Sequence, residues 1–358
     1  MARAEESNEN KPCGDRPDPA IAEFISRAGL VASGSAVRFE RLTGGVSSDI
    51  WLVEAGTTAF CVKRALPRLQ VAADWQAPIE RNTNEAAWVK AVGEFMPEAV
   101  PSVLAEDPGA GMFAMEYLPP QSFKVWKSQL RHGHVDPATA AEVGRRLVRI
   151  HGRLAGSAGV AAQFATDAIF HAIRLEPYLL ATAQAHPDRA AALRGLAEVT
   201  AHTKLTLVHG DVSPKNILVG PQGPVFIDAE CAWFGDPAFD VAFCLNHLLL
   251  KCLWVPPEAS RFLAAFDSLA ATYLAAVDWE PAERIDRRAA RLLPGLLLAR
   301  IDGKSPVEYL TTESDKNMVR RVARSLLASP PGCLAEIRQV WASQTEWEGQ
   351  CTNRGYNM

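Results

Sequence analysis

The segment LVHGDVSPKNILVGPQGPVFIDAE, residues 207–230, holds the side chains with the clearest potential for chemistry. Asp211 and Asn216 precede one short apolar run, and Asp228 follows the next one. Mg²⁺ is bound by hard oxygen ligands and often takes only one or two of them from the protein, while water and phosphate supply the rest. These residue types therefore indicate a magnesium and phosphate site, against the alternative that Asp and Asn only form turns here.

A predicted hairpin brings two of these residues together. The runs ILV and VFI have the composition of strands, and the letters GPQGP between them favour a turn. A hairpin centred near Gln222 pairs Ile217 with Ile227, and one further step places Asn216 opposite Asp228. Because the Cα atoms of opposed residues lie about 5 Å apart, an amide oxygen and a carboxylate converge at the open end of the hairpin.

Asp211 lies five residues before Asn216, in a loop that Pro214 restrains. It can face the same space as the predicted metal without competing for it. A carboxylate beside a metal-bound triphosphate can orient an acceptor hydroxyl and take its proton. We therefore interpret Asp211 as a catalytic base, and Asn216 and Asp228 as metal ligands.

The first part of the chain must supply the surface that faces this segment. The runs VRFERL, DIWLVEA and AFCVKRA predict an antiparallel meander over residues 37–65. A helix is predicted near TNEAAWVKAVGEF, and SVLAED and GMFAMEYL flank a turn as a second hairpin. Asp18 and Pro19 form an N-cap and N1 pair that begins a short helix. The fold class is therefore predicted as α+β, with a small antiparallel sheet and one main helix in its first lobe.

The second part of the chain has mainly helical periodicity. Long helices are predicted over residues 137–155, 237–253, 259–277, 282–301 and 315–328, with a frayed end from about Gln344. We divide the chain into a polar tail at 1–18, a nucleotide-binding lobe at 19–118, a catalytic and acceptor-binding lobe at 119–345 and a tail at 346–358.

Composition limits the partners. The 358 residues are 48% hydrophobic and 22% charged, and the formal net charge of −4 disfavours nucleic acid and anionic membranes. Seven cysteines without a CxxC pair indicate reduced thiols, and the N-terminus has no apolar signal segment, so a cytoplasmic location is predicted. The most apolar run, 241–255, contains Asn246, His247 and Lys251 and is interpreted as a buried helix. No protein partner is implied.

The motifs HGDVSPKNILV and FIDAECAWFGDPAFDVA resemble the catalytic region of the aminoglycoside phosphotransferase and choline kinase family. The resemblance implies a bilobal, protein-kinase-like fold that binds ATP and Mg²⁺ and transfers the γ-phosphate to a hydroxyl of a small molecule. It implies Asp211 as the base and Asn216 and Asp228 as the Mg²⁺ ligands. By the same two motifs, His209 would support the catalytic loop and Asp240 would anchor it.

The first lobe carries matching features. In RLTGGVSSDIWLVE, Gly44 and Gly45 allow close backbone approach, and the amides of Val46, Ser47 and Ser48 could cradle phosphate. An ordinary hairpin with a Gly-Gly turn is the structural alternative.

Lys63, in CVKRA, resembles the phosphate-binding lysine of the family. A buried lysine needs a partner, and we prefer Glu85 to Glu80 because its helix continues with apolar residues on one face. The segment MFAMEYLPP resembles the connection that binds adenine, which predicts that Met115, Glu116, Tyr117 and Leu118 contact the base. An ordinary strand before a proline linker is the alternative.

The acceptor is left open. A protein kinase is disfavoured because the chain passes from Asp228 to the next helix with almost no insertion. The basic segment 284–304 argues against a cationic antibiotic as the acceptor. The spacing DxExAxxGxxxFD is shared with methylthioribose kinases, which makes a sugar-like acceptor an alternative. An amino-alcohol kinase and a non-catalytic nucleotide-binding module remain alternatives. The loop in ARIDGKSPVEYL is predicted to border the acceptor pocket or to be a solvated connection, and four aromatic residues are pocket or core candidates: Trp233, Trp254, Tyr273 and Trp279.

Overall fold

The computed structural model describes residues 17–32, 34–42, 48–66 and 80–354, with side chains described as far as 344. The predicted phosphate loop at Gly44, Gly45, Val46 and Ser47 lies outside the described residues.

An antiparallel sheet occupies the first part of the chain. Its strands pair in the order β1-β2-β3-β5-β4, so the predicted meander and second hairpin are confirmed. The strands are β1 (Val37–Leu42), β2 (Ser48–Ala55), β3 (Thr58–Ala65), β4 (Val103–Asp107) and β5 (Met112–Glu116).

Two helices flank this sheet. Helix α1 (Pro19–Arg27) begins at Asp18, whose side chain accepts from Ala20 N–H, and it packs Phe24 against Trp51 and other apolar residues of the sheet. Helix α2 (Arg81–Gly93) buries Trp88 in the larger core formed with the second part of the chain. Helix α2 therefore links the sheet to the second part of the chain by direct contacts.

The rest of the chain is mainly helical, as predicted. The earlier helices are α3 (Trp126–Arg131), α4 (Pro137–Leu154), α5 (Ala158–Gln163), α6 (Asp167–Phe170), α7 (Ala181–Ala185) and α8 (Ala190–His202). The later helices are α9 (Pro237–Trp254), α10 (Ala259–Leu274), α11 (Ala282–Asp302), α12 (Glu313–Ala328) and α13 (Leu334–Arg354). Helix α13 continues to Arg354, so the frayed end predicted from Gln344 was wrong. The lobe boundary near residue 119 stays a prediction.

Close helix packing forms the large core. Helix α9 is buried from Pro237 to Cys252, which confirms that the apolar run is an internal helix. A Cβ atom at Gly144 of α4 would lie 2.7 Å from Leu269 O of α10, so glycine is needed where these helices cross. Within the described ranges, no helix is long and apolar enough to cross a membrane.

Short strands carry the residues of chemical interest. β7 (Thr206–Val208) pairs with β10 (Trp233–Gly235), and β8 (Ile217–Gly220) lies between β6 (Lys124–Val125) and β9 (Gly223–Phe226). A π-helix, His171–Leu180, follows α6 and was not predicted. Single-turn 3₁₀ segments are Pro97–Ala99, Pro108–Ala110, Pro187–Arg189, Pro214–Asn216 and Pro256–Glu258.

Candidate active site

The predicted register of the β8–β9 hairpin was wrong by one residue. Ile217 pairs with Phe226, and the ladder ends with Gly220 opposite Gly223. The loop thus has two residues, which moves the centre of the turn from Gln222 to a point between Pro221 and Gln222. Two-residue loops are favoured in twisted hairpins, and Gly223 adopts φ of 106°. A one-residue shift changes every opposed pair in the hairpin.

Asn216 therefore lies opposite Ile227 rather than Asp228, and its carbonyl oxygen accepts from Ile227 N–H at 3.0 Å. Asp228 is one residue beyond the pair and adopts φ of 65°, the only positive φ of a non-glycine residue among those described. This left-handed backbone is sparsely populated by residues other than glycine. It turns the chain directly after β9, so a backbone turn, and not strand register, sets the position of the Asp228 carboxylate.

Asp228 meets Lys63 across the cleft. Lys63 Nζ lies 2.5 Å from Asp228 Oδ1 and 2.6 Å from Glu85 Oε2, and the lysine is only 2% exposed. The predicted Lys63–Glu85 ion pair is confirmed, whereas Glu80 is exposed just before α2. Burial lowers the pKa of Lys63, but Asp228 and Glu85 outweigh it and hold that pKa above its usual value. Lys63 is therefore a fixed cation between two carboxylates.

Asp211 is buried and paired with a residue that the sequence did not reveal. Arg174, on the π-helix, places Nη2 2.8 Å from Asp211 Oδ2 and donates from Nε to Gly210 O at 2.6 Å. Lys215 also reaches Asp211: its side chain is 52% exposed, yet its Nζ lies 3.3 Å from the same Asp211 oxygen. Two cations thus hold the Asp211 side chain in a fixed orientation.

The loop that carries Asp211 is anchored by Asp240, as predicted. The Asp240 carboxylate accepts from His209 N–H at 2.7 Å and from Gly210 N–H at 2.8 Å. Gly210 adopts φ of 76°, and a Cβ atom there would lie 2.6 Å from Cys231 O. Only glycine fits this turn without strain. Asp236 caps the start of α9, since its side chain accepts from Ala238 N–H.

His209 is a neutral support of this loop. Its Nδ1 accepts from Asp211 N–H at 3.2 Å, which leaves Nε2 to donate to Ile227 O at 3.1 Å. Burial lowers the pKa of His209. The imidazole therefore connects the loop of Asp211 to the residue before Asp228 without adding charge to the site.

The ligand set fits a magnesium ion. Asn216 donates from Nδ2 to Asp211 O at 3.1 Å, so its amide oxygen is the atom that can bind a cation. Asp228 supplies a second hard oxygen. Within the described part of the chain, no group of three or more His, Cys, Asp or Glu side chains could hold a metal. Two hard oxygens are nevertheless sufficient for Mg²⁺ that is completed by phosphate and water.

Helix α2 is tied to the segment that follows Asp228. Arg81 Nε lies 3.1 Å from Glu230 Oε2, and Asn84 donates to Ala232 O at 2.6 Å. Sequence analysis did not identify these contacts, because each joins residues about 150 positions apart. They hold Glu85, on the same helix, in place beside Lys63.

Part of the segment predicted to bind adenine, MFAMEYLPP, belongs to the sheet. Glu116 ends β5, and its N–H donates to Ser102 O at 2.9 Å, so that group is already used. The predicted contacts of Met115, Tyr117 and Leu118 with a base stay predictions. At the start of β2, Ser48 is buried and its hydroxyl donates to the Asn82 side chain at 3.4 Å.

The aromatic candidates separate into core and pocket residues. Trp233 stacks on Phe170 with ring centroids 4.2 Å apart, and Tyr273 contacts His151 in the buried interior. Trp279 packs in the partly buried edge of the same core. Trp254 differs, since it stacks at 4.4 Å on Tyr309, which belongs to the loop predicted to border the acceptor.

Residues 38–283 match the phosphotransferase enzyme family, which is more than half of the chain. The chain therefore belongs to this family, and the predicted protein-kinase-like α+β fold is confirmed by the solved structures that it resembles.

Three relatives illustrate the similarity. Methylthioribose kinase 1 of Oryza sativa subsp. japonica is 24% identical over 260 residues, which cover 65% of this chain and 59% of that protein. The choline kinase of Cryptosporidium parvum Iowa II is 10% identical with a TM-score of 0.53, covering 87% and 97% of the two chains. An amicoumacin kinase, solved with AMP-PNP, Ca²⁺ and Ami, is 14% identical with a TM-score of 0.51, covering 91% and 98%. The chain spans less than two thirds of the length of the first curated relatives that it matches.

Proposed function

We propose that the protein is a small-molecule kinase that transfers the γ-phosphate of ATP to an alcohol hydroxyl. One observation carries this proposal: Lys63 and Asp228 meet across the cleft at 2.5 Å, beside a loop that presents Asn216 and the buried Asp211. These residue types, in one site, match the requirements of phosphoryl transfer, in which positioning and charge neutralisation supply most of the catalysis.

The residues divide into two groups by role. Asn216 and Asp228 would hold Mg²⁺, which when bound neutralises charge on the phosphates. Lys63 would contact phosphate oxygens while Glu85 keeps its ammonium group in place. The backbone of Gly44 to Ser48 is proposed to cover the phosphates, and that of Tyr117 and Leu118 to contact adenine.

Asp211 would orient the acceptor hydroxyl and accept its proton. Its ion pairs with Arg174 and Lys215 hold the carboxylate in one orientation. The transition state of phosphoryl transfer is loose, so orientation of the hydroxyl contributes more than the strength of the base. Arg174 is therefore proposed as a positioning residue.

The test is ADP formation by the purified protein with ATP, Mg²⁺ and a panel of alcohols. The panel contains neutral sugars such as methylthioribose, amino alcohols, aminoglycosides, and hydroxyl compounds with carboxylate or phosphate groups. We expect ADP formation that depends on one class of acceptor. Nucleotide binding with no acceptor-dependent turnover across the panel would instead support a non-catalytic nucleotide-binding module.

The reduced, buried thiols of Cys61, Cys231 and Cys244 support the proposed cytoplasmic location.

A further inference from the structure

Beyond Asp211, helix α9 presents a row of side chains toward α11 and the loop after it. Phe243, His247 and Lys251 recur every four residues and so share one face of α9. The Phe243 ring centroid lies 5.8 Å from Arg174 Cζ and 5.3 Å from the His247 ring. The row therefore starts at the residue that holds Asp211 and extends away from it.

Lys251 is a buried cation without an acidic partner. It is 1% exposed, and its Nζ lies 3.4 Å from Tyr309 Oη and over the rings of Tyr309 and Trp254, at 4.5 and 5.1 Å from their centroids. In the described ranges no carboxylate lies within ion-pair distance of it; Glu308, in the adjacent loop, pairs with Lys127. Burial lowers the pKa of Lys251 to about 7, and Lys127 adds to the shift.

Arg300 is a second buried cation in this region. It is 9% exposed and donates from Nη1 to Tyr178 Oη at 3.3 Å and to Ser305 Oγ at 2.9 Å. Its Nε has no hydrogen-bond partner, and its described contacts are with neutral groups. A buried guanidinium normally pairs with a carboxylate or phosphate, whose two oxygens match its planar donors.

His247 completes the group. It is buried, and its Nδ1 has no hydrogen-bond partner. Burial, with Arg300 and Lys251 nearby, holds the pKa of His247 well below its usual value. A neutral imidazole can donate one hydrogen bond to an anion.

We propose that the acceptor carries an anionic group, a carboxylate or a phosphate, in addition to its hydroxyl, and that Lys251, Arg300 and His247 bind this group. The inference rests on the proposed kinase activity and names its substrate class. An anion would complete the hydrogen bonds of the buried donors and would offset the desolvation of two cations.

The same charges disfavour cationic acceptors. A polycation or an amino alcohol would place positive charge beside Lys251 and Arg300, which adds repulsion to the cost of burial. Arg174 bridges the two sites: it contacts Asp211 and lies 5.6 Å from the ring of Tyr178, whose hydroxyl contacts Arg300. Side-chain contacts therefore connect Asp211 to Arg300 through Arg174 and Tyr178.

The test is direct binding of malonate, a small dicarboxylate, by titration calorimetry on the full chain. We expect saturable binding by the wild type and at least tenfold weaker binding by Lys251→Met. Lys90→Met is the matched control, because Lys90 is exposed, pairs with Glu106 and lies on α2 rather than on α9 or α11. Its affinity for malonate should equal that of the wild type. Arg300→Gln provides a second pocket variant.

The outcomes separate this inference from the proposed activity. Failure of the wild type to bind malonate, or equal affinities in all variants, would overturn the anionic pocket, whatever the turnover assay gives. Malonate binding that is lost in Lys251→Met supports the pocket even if no acceptor is phosphorylated. The same titration with inorganic phosphate distinguishes the two kinds of anionic acceptor. If the acceptor carries a phosphate group, phosphate should bind more tightly than malonate.

Discussion

Two buried lysines, Lys63 and Lys251, have contrasting surroundings. Lys63, on the side predicted to hold the nucleotide, pairs with Glu85 and Asp228 at 2.6 and 2.5 Å. Lys251, on the acceptor side, contacts aromatic rings and a hydroxyl. The first lysine is neutralised by the protein, so its position is fixed before any ligand binds. The second has no carboxylate partner among the described residues, so an anionic ligand would supply its counter-ion.

The largest effect is expected at Asp211, the predicted base. Asp211→Asn keeps the shape of the side chain but removes its ability to accept a proton. We expect kcat for acceptor-dependent ADP formation to fall by about 10²- to 10⁴-fold. Measured affinity for ATP and Mg²⁺ should stay within a few fold of the wild type. Unchanged kcat would remove Asp211 from the role of base.

The same substitution at the two lysines should affect stability in opposite ways. Lys63→Met leaves the buried Glu85 and the partly buried Asp228 without their cation, and we expect the free energy of unfolding to fall by about 3–5 kcal/mol. Lys251→Met leaves no carboxylate behind and should keep or raise the free energy of unfolding. Urea denaturation of both variants checks this contrast. Equal losses would mean that Lys251 has a carboxylate partner in solution.

The pH dependence of stability sharpens the contrast further. The pKa of Lys251 is about 7 in the folded state, lowered mainly by burial from its usual value of 10.5. Between these values the unfolded chain binds the extra proton, so this group makes the free energy of unfolding rise with pH. From pH 7 to pH 9 we expect the wild type to gain about 2 kcal/mol relative to Lys251→Met. Parallel curves for the two proteins would contradict the lowered pKa.

The smallest effect is expected at Arg174, which positions Asp211 without contacting the phosphates. Arg174→Met should lower kcat about tenfold, which corresponds to about 1.4 kcal/mol of transition-state stabilisation. KM for ATP should stay unchanged, since its contacts lie on the acceptor side. Arg174→Lys should restore part of kcat, because it retains the charge but not the planar donors. Loss of stability without a specific loss of kcat would make the role of Arg174 purely structural.

The sequence predicted the elements around the donor side well because their signals are local. The alternating runs of β1, β2 and β3 and the spacing of Asp211 and Asn216 depend on neighbours in the chain. The hairpin register was missed by one residue because GPQGP allows more than one turn centre, and the choice depends on the two-residue loop geometry. The left-handed backbone of Asp228 was not predicted, because aspartate adopts this conformation more often than most residues but its type does not require it.

The acceptor side could not be predicted in the same way. Arg174 reaches Asp211 from a π-helix, a conformation without a sequence periodicity of its own that could be recognised. Lys251 and Arg300 come from helices α9 and α11, so only the packing of these helices brings their side chains into one region. His247 and Lys251 were noticed only as reasons against a membrane span. The same two residues now define the proposed pocket.

The most direct measurement is a competition between glycerate and its amide, mixed at equal concentration with ATP, Mg²⁺ and the purified protein. Mass spectrometry identifies which compound gains a phosphoryl group. If Lys63 is neutralised by Glu85 and Asp228 while the acceptor site binds an anion, we expect phosphoglycerate as the main product. The preference for glycerate over its amide should be smaller in Lys251→Met. Phosphorylation of the amide alone, or of neither compound, would contradict that account.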